Sequence, residues 1–364
     1  MPSTGATAGE RHCRLAETAR HDHGDTPMSS QSPTDVTVQL PDAPGIPRLR
    51  FRPFDIDRDV PAIVELITIA HKADRIDWIP TAAALRNDLE HHADFDPARD
   101  MLVAEIEGRM VAAAERTPRV RAGVVQHQLV AWVRPDRRGQ GIGRSLLHWM
   151  EARSREAAAA WAGSESHGLT NWVDESQPDA IALLESEGYA RVRYGFMMVR
   201  PLSEPIPDAA LPEGLEVRPV VESDHRRIWD ADVEAFRDHW DAAVRTEEDF
   251  AAWFATPGID TSLWRVAWDG DEVAGSVMNF VWPEENEQLG VARGWLEHIS
   301  VRRPWRKRGL AGALIVDSLR ALKAQGLIEG ALGVDAENPS GALRLYESLG
   351  FRRRQTGIAF RKDL

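Results

Sequence analysis

The chain says the same thing twice. The segment "LRFRPF" beginning at Leu49 returns as "LEVRPV" beginning at Leu215, with Arg52 answering Arg218 and Pro53 answering Pro219. "VAEIEGRMVAA" from Val103 is answered by "VAWDGDEVAGS" from Val266, and "VRPDRRGQGIGRSLL" from Val133 by "VRRPWRKRGLAGALI" from Val301. "ALLESEGYARVRYGFMMVR" from Ala182 is answered by "RLYESLGFRRRQTGIAFRK" from Arg344. The matches keep their order at a spacing of about 165 residues, a whole domain length, so they mark a duplication and exclude a solenoid of short repeats. The 364 residues suffice for two hydrophobic cores. Between the halves lies "PLSEPIPDAALPEG" (Pro201–Gly214), whose prolines disfavour both helix and ladder. The expected layout is a disordered tail over 1–45, a first domain over 46–203, a linker over 204–213 and a second domain over 214–364.

Each half reads alike. A strand (49–53; 215–219) precedes helical segments (58–72; 222–236), and a hairpin with an acidic-Gly turn follows (101–116; 263–281). A further strand (125–134; 295–302) runs into a basic, glycine-containing loop and then a long amphipathic helix (142–160; 310–325). In the second half "EGALGVDA" reads as a strand, "PSGALRLYESLG" as a helix and "RRQTGIAFRK" as the last strand. The fold class is α/β: in each half, a mixed, mostly antiparallel sheet flanked by helices, with a local parallel pair where strand, loop, helix and strand follow one another.

Composition narrows the function. Net charge is −13, which repels polyanions and argues against nucleic acid as a partner. The single cysteine, Cys13, excludes an intramolecular disulfide framework and fits a reducing compartment. No apolar run reaches membrane-spanning length and the start has no apolar signal core, so a cytoplasmic protein without membrane attachment is expected. Met28 opens "MSSQSPTD" within the tail as a second possible start. His12, Cys13, His21 and His23 lie in that tail with no fold to fix a geometry, so no metal site is expected.

The basic cluster Arg302, Arg303, Arg306, Lys307 and Arg308 in front of Gly309 admits three readings: a grip on nucleic acid, a phosphate cradle, or a solvated surface. A strand ending in a glycine loop that feeds a helix N-terminus is an anion site, because free N–H groups and the helix dipole point out of the first turn. Neither half has the GK[ST] of a P-loop or a correctly spaced GxGxxG. What recurs is Arg-x-x-Gly-x-Gly/Ala: Arg138 to Gly141 and Gly143, and Arg306 to Gly309 and Ala311. With "DAENPSGALRLYESLGF" after the next strand, this resembles the GNAT (GCN5-related) superfamily of N-acetyltransferases, present twice over residues 46–364 as in tandem proteins of the mycothiol synthase type.

The resemblance implies two tandem GNAT domains, acetyl-CoA as acetyl donor, and a pseudo-dimer within one chain. It implies a pantetheine arm paired to the backbone of Ile299, Ser300 and Val301, and a pyrophosphate on Arg306, Lys307, Arg308, Gly309, Leu310, Ala311 and Gly312. Arg302 and Arg303 are further candidates for the adenosine phosphates, and Asn338 matches the family asparagine on the cofactor arm. In the first half the matching cofactor positions are Val133, Arg138, Gly141 and Gly143. For chemistry, Glu297 is the candidate base, Tyr346 the candidate acid and His298 a rival base. Unbroken alternation places Glu297, Ile299 and Val301 on one face and turns His298 away; a bulge would change this. The first half carries Leu129, Leu184 and Ser176 where the second has Glu297, Tyr346 and Asn338, so the second half is expected to be the catalytic one. Acceptor-pocket candidates are Phe236, His239, Trp240, Asn279 and Trp282, with Arg237 and Asp238 nearby. The reading is an acetyl-CoA-dependent N-acetyltransferase that acts on a small primary amine by direct attack in a ternary complex. The alternatives are a mycothiol synthase, acetylating a cysteinyl glucosamine-inositol, and a non-catalytic acetyl-CoA-binding module.

Overall fold

A computed structural model describes residues 36–91, 94–121, 123–237, 239, 245–255, 258–338 and 340–364. It divides into two compact units, one ending at Val192 and regaining Ala359–Leu364, the other spanning Arg193–Ile358. The first unit contains β1 (Leu49–Pro53), α1 (Ile56–Asp74), α2 (Ala82–His91), α3 (Pro97–Asp100), β2 (Met101–Ile106), β3 (Arg109–Arg121), β4 (Val124–Val133), α4 (Ile142–Ala159), β5 (Ser166–Asp174) and α5 (Pro178–Ser186). The second contains most of β6 (Ala190–Pro201), then β7 (Glu216–Arg218), α6 (His225–Phe236), α7 (Glu247–Ala255), β8 (Arg265–Asp269), β9 (Glu272–Phe280) and α8 (Pro283–Leu289). It continues through β10 (Arg293–Val301), α9 (Leu310–Ala324), β11 (Glu329–Asp335), α10 (Ala342–Ser348) and the start of β12 (Arg352–Asp363).

Strand order is β1-β2-β3-β4-β5 in the first unit and β6-β11-β10-β9-β8-β7 in the second. The pairings are antiparallel except β4 with β5 and β10 with β11, the parallel pair expected in each half. In the second unit the sheet has two apolar faces. Leu314, Leu319 and Leu322 of α9 bury against Leu296 and Leu332 on one face. Trp229, Trp253, Trp264, Trp268, Phe280 and Trp295 fill the other, beneath α6 and α7. Most tryptophans of this half are therefore core, which suits side chains that contribute so much apolar area.

The compact units differ from the sequence boundaries at both strand ends. β6, read as the end of the first domain, pairs with β11 from Gly195↔Asp335 to Pro201↔Glu329. Arg193 grips Asp335 through two 2.9 Å bonds, and Arg200 donates to Leu349 O at 2.6 Å. Conversely, Ala359–Leu364 belongs to the first unit, where Lys362 binds Glu151 at 2.8 Å. Residues 36–45, expected as tail, are also described: Val38 donates to Phe51 O at 2.7 Å, and Asp42 is tied to α4. The stretch 201–214 is packed rather than loose, since Ile206, Leu211 and Leu215 lie on the α9-side core.

Candidate active site

In the second unit β10 and β11 pair only from Arg293↔Glu329 to Trp295↔Ala331. Beyond Trp295, β10 keeps its partner β9 as far as Val301↔Gly275, while its other edge parts from β11. The backbone of Ile299, Ser300 and Val301 thus borders an opening split. At its end, Gly309 adopts φ +86° and starts α9 without a side-chain cap. Ala313 N–H is the first to close on Gly309 O, at 3.1 Å, leaving the amides of Leu310, Ala311 and Gly312 outside the helix's own ladder. A Cβ on Gly309 would meet no atom within 4 Å, so the space before these amides is open. The loop fits a phosphate group by geometry and charge.

The side chains of Arg302, Arg306 and Arg308 bond within the protein, and Arg303, Lys307 and Arg308 are exposed. Arg306 donates to Val301 O (2.9 Å) and Ala235 O (3.1 Å), and its own amide is taken by Arg303 O, so the cradle begins after it. Arg302 binds Glu234 at 2.9 Å and lies over the Trp305 ring. Arg308 donates to Glu213 O at 3.2 Å. These arginines brace the loop against β10, α6 and the linker, which a reading of charge alone does not show. Lys307 is exposed, with φ +62°.

The register of β10 against β9 shifts between Glu297 and Ser300, which is the bulge that alternation cannot foresee. Glu297 lies opposite Met278, on the α6/α7 face, and is buried. His298 takes φ +45° and turns onto that same face, where Trp253 (centroids 4.5 Å apart) and Phe236 (5.7 Å) enclose its ring. Ile299 and Val301 pack toward the α9-side core instead. The expected grouping of Glu297, Ile299 and Val301 is therefore replaced by Glu297 with His298. Gly275 makes room for this path, since a Cβ there would stand 2.6 Å from Ser300 O.

His298 Nδ1 lies 2.8 Å from Asp232 Oδ2 on α6. Asp232 was not singled out from the sequence, although an acidic residue within the buried stripe Ile228, Trp229, Asp232, Ala235 is a readable signal. Of the acceptor candidates, the structure brings together Phe236, His239 tilted against it with centroids 4.4 Å apart, and, through Trp253 and Phe280, Trp282. Asn279 lies on the opposite face, where its amide donates to Leu263 O (2.7 Å) and Ser318 Oγ (3.0 Å); it serves the core there and is removed from the pocket. Trp240 and Asp238 lie outside the described residues.

Tyr346, on α10, is buried edge-on against Phe351 at 6.1 Å, and burial holds its phenol well above the ordinary range. It remains protonated at neutral pH, the state an acid needs. Asn338 accepts the Ser340 amide at 2.9 Å through its side chain and shapes the turn before α10.

The first unit has a similar loop with a different fate. Gly141 starts α4 at φ +90°, and Arg138 is held by Asp74 (2.9 Å from Nη2) and Val133 O (3.2 Å). Pro44 lies across the loop, 3.4 Å from where a Gly141 Cβ would be. Ser145 donates to Asp42 O at 2.9 Å, and His148 sits between Asp42 (2.7 Å) and Glu187 (2.8 Å). Residues 42–44 thus cover the helix start that Gly309 leaves open in the second unit. Gly143 packs toward Leu183 and Val133, and Leu129 and Leu184 are core.

Residues 225–351 match the family model described as acetyltransferase (GNAT) family, and residues 97–191 match that of the acetyltransferase (GNAT) domain. The chain is similar to a mycothiol acetyltransferase of Salinispora arenicola, 31% identical over 313 residues, with 84% of this chain and 94% of the relative covered. It is also similar to one of Geodermatophilus obscurus, 29% identical over 315 residues, with 85% and 97% covered. Among solved structures, a GCN5-related N-acetyltransferase from Sphaerobacter thermophilus aligns with a TM-score of 0.68 and 27% identity, covering 89% of this chain and 97% of that one.

Proposed function

Because the chain belongs to the GNAT acetyltransferase family and carries two GNAT domains, we propose that its second unit moves an acetyl group from acetyl-CoA to the primary amine of a small molecule by direct attack. The observation that carries this reading is the uncapped start of α9 at Gly309, open in front and placed at the end of a strand whose edge is free of β11. The amides after Lys307 receive the pyrophosphate. The β10 backbone orients the pantetheine arm, and a strand N–H in the split polarises the thioester carbonyl. Tyr346 hands a proton to the departing sulfur. The amine approaches from the α6/α7 face, where Glu297 supplies negative charge and Phe236, Trp253 and Trp282 supply aromatic walls suited to a cation. The donor and acceptor thus reach the split from opposite faces of the sheet. In the first unit, Val133, Arg138, Gly141 and Gly143 keep the loop's shape while residues 42–44 fill its mouth, so the chain binds one acetyl-CoA.

The names of the two relatives favour a cysteinyl glucosamine-inositol acceptor as the finer reading. The test is turnover by the full chain with acetyl-CoA and a panel of that compound, glucosamine, putrescine and a lysine peptide, followed by thiol release and product mass. N-acetylation of at least one member is expected. Acetyl-CoA binding with no transfer to any of them would leave a binding module instead.

A further inference from the structure

The bulge in β10 leaves one feature that acetyl transfer by Glu297 and Tyr346 does not use. His298 is 6% exposed, stands in the left-handed region where few non-glycine residues settle, and is gripped at Nδ1 by an Asp232 that is itself 3% exposed. Such strain persists only where surrounding structure enforces it, and it gathers at working sites. With Nδ1 donating to the carboxylate, Nε2 carries the lone pair, and among the described residues it has no hydrogen-bond partner. A buried imidazole held in one tautomer by a carboxylate, its second nitrogen waiting, is built to accept a proton.

We infer that His298, positioned by Asp232, is the proton acceptor for the acceptor amine, and that Glu297 beside it serves as the counter-charge that holds the ammonium. This rests on the second unit being an N-acetyltransferase. The ammonium gives its first proton to His298 Nε2, which passes it to water. The freed nitrogen pair forms the C–N bond to the thioester carbon, and the C–S bond breaks with its electron pair on sulfur. Tyr346 protonates that sulfur, and the second proton lost by nitrogen restores the phenol. Among the described residues, other ionisable groups lie on this face of the sheet, Glu285 against Trp295 among them. Glu297 lies next to it on β10, His239 lies tilted against Phe236 beyond α6, and Arg245, just before α7, lies over the Trp229 and Trp253 rings.

The test is the pH profile of kcat/KM for acetyl transfer to the cysteinyl glucosamine-inositol, or to whichever panel amine turns over, in four proteins. Acetyl-CoA affinity and melting temperature are measured beside it. His298→Asn is the main variant, because asparagine tolerates the left-handed backbone. It should lose about 10²- to 10⁴-fold in kcat/KM and lose the profile's acidic limb, with acetyl-CoA affinity intact. Asp232→Asn should move that limb to lower pH while transfer persists at a reduced rate, a shift that a merely structural aspartate would not cause. Glu297→Gln should raise the amine KM and keep the limb in place. If His298→Asn and Asp232→Asn both keep the wild-type rate and limb, or if the limb disappears with Glu297→Gln alone, the assignment is overturned while the transferase reading stands. No transfer by the wild type to any panel amine, with acetyl-CoA bound, would overturn both.

Discussion

Tyr346→Phe deletes one oxygen and leaves the ring in place, so it separates chemistry from packing. The ring lies edge-on to Phe351 at 6.1 Å and shares a core with Leu310, Leu314 and Leu349. Those contacts belong to ring carbons that phenylalanine keeps, so the stability change should stay within about 1 kcal/mol, the net worth of an ordinary hydrogen bond. If the hydroxyl protonates the leaving sulfur, its loss should lower kcat by about 10²- to 10⁴-fold, or roughly 3–5 kcal/mol in the barrier. Burial raises the phenol's pKa, so no limb from Tyr346 should appear in the wild-type profile near neutrality. The assay is kcat under saturating acetyl-CoA, with calorimetric acetyl-CoA affinity and a melting curve alongside. A variant that melts earlier yet turns over like the wild type would make Tyr346 a core residue and refute the acid assignment.

Other consequences follow from the same geometry. Calorimetry should find one acetyl-CoA per chain, and Asp42→Ala with Pro44→Gly, which loosens the cover over Gly141, should admit a second, weaker one. His148 has its pKa raised by its bond to Glu187 and then by that to Asp42, so its contribution is full below the ordinary imidazole value and is lost as pH rises through the raised one. Hydrogen exchange of residues 36–48, corrected for intrinsic rate, should quicken over that rise and show no such step in His148→Gln. His127 is pushed down to about 4 from 6.5 by burial, then by Arg116 and His167, so the unfolded chain takes up its proton first as pH falls. Between pH 7 and pH 5 this costs about 2 kcal/mol, at about 1.4 kcal/mol per pH unit below the unfolded pKa. Urea unfolding at the two pH values should show it, and His127→Gln should lose most of the difference.

The duplication, the two Gly loops and the parallel pairs were legible because each depends on local spacing. "RKRGLAG" fixes a left-handed glycine and a helix start within a few residues. The facing of β10 was not legible, because alternation assumes unbroken pairing and the bulge at Glu297–Ser300 depends on β9, whose Gly275 gives it room. The side taken by Asn279 follows from its neighbour Leu296 across the sheet, a pairing that β9 alone does not show. The domain edges were hidden by non-local pairing, as β6 finds β11 through more than a hundred intervening residues. The cover over Gly141 was not legible because its contacts are non-local: Val38 meets Phe51 of β1, and Asp42 meets Ser145 of α4. Charge counting also does not show that Arg302, Arg306 and Arg308 bond to carboxylate and carbonyl partners in the protein itself.

The central claim is that one of the two similar loops does the work, and the two glycines test it most directly. Gly309 and Gly141 share a left-handed backbone, so glutamate at either position carries a similar conformational cost. Only at Gly309 would the new carboxylate stand where phosphates approach open amides. Acetyl transfer from acetyl-CoA should be abolished in Gly309→Glu and retained in Gly141→Glu, with both variants folded by circular dichroism. Equal losses in the two, or a loss confined to Gly141→Glu, would contradict the account.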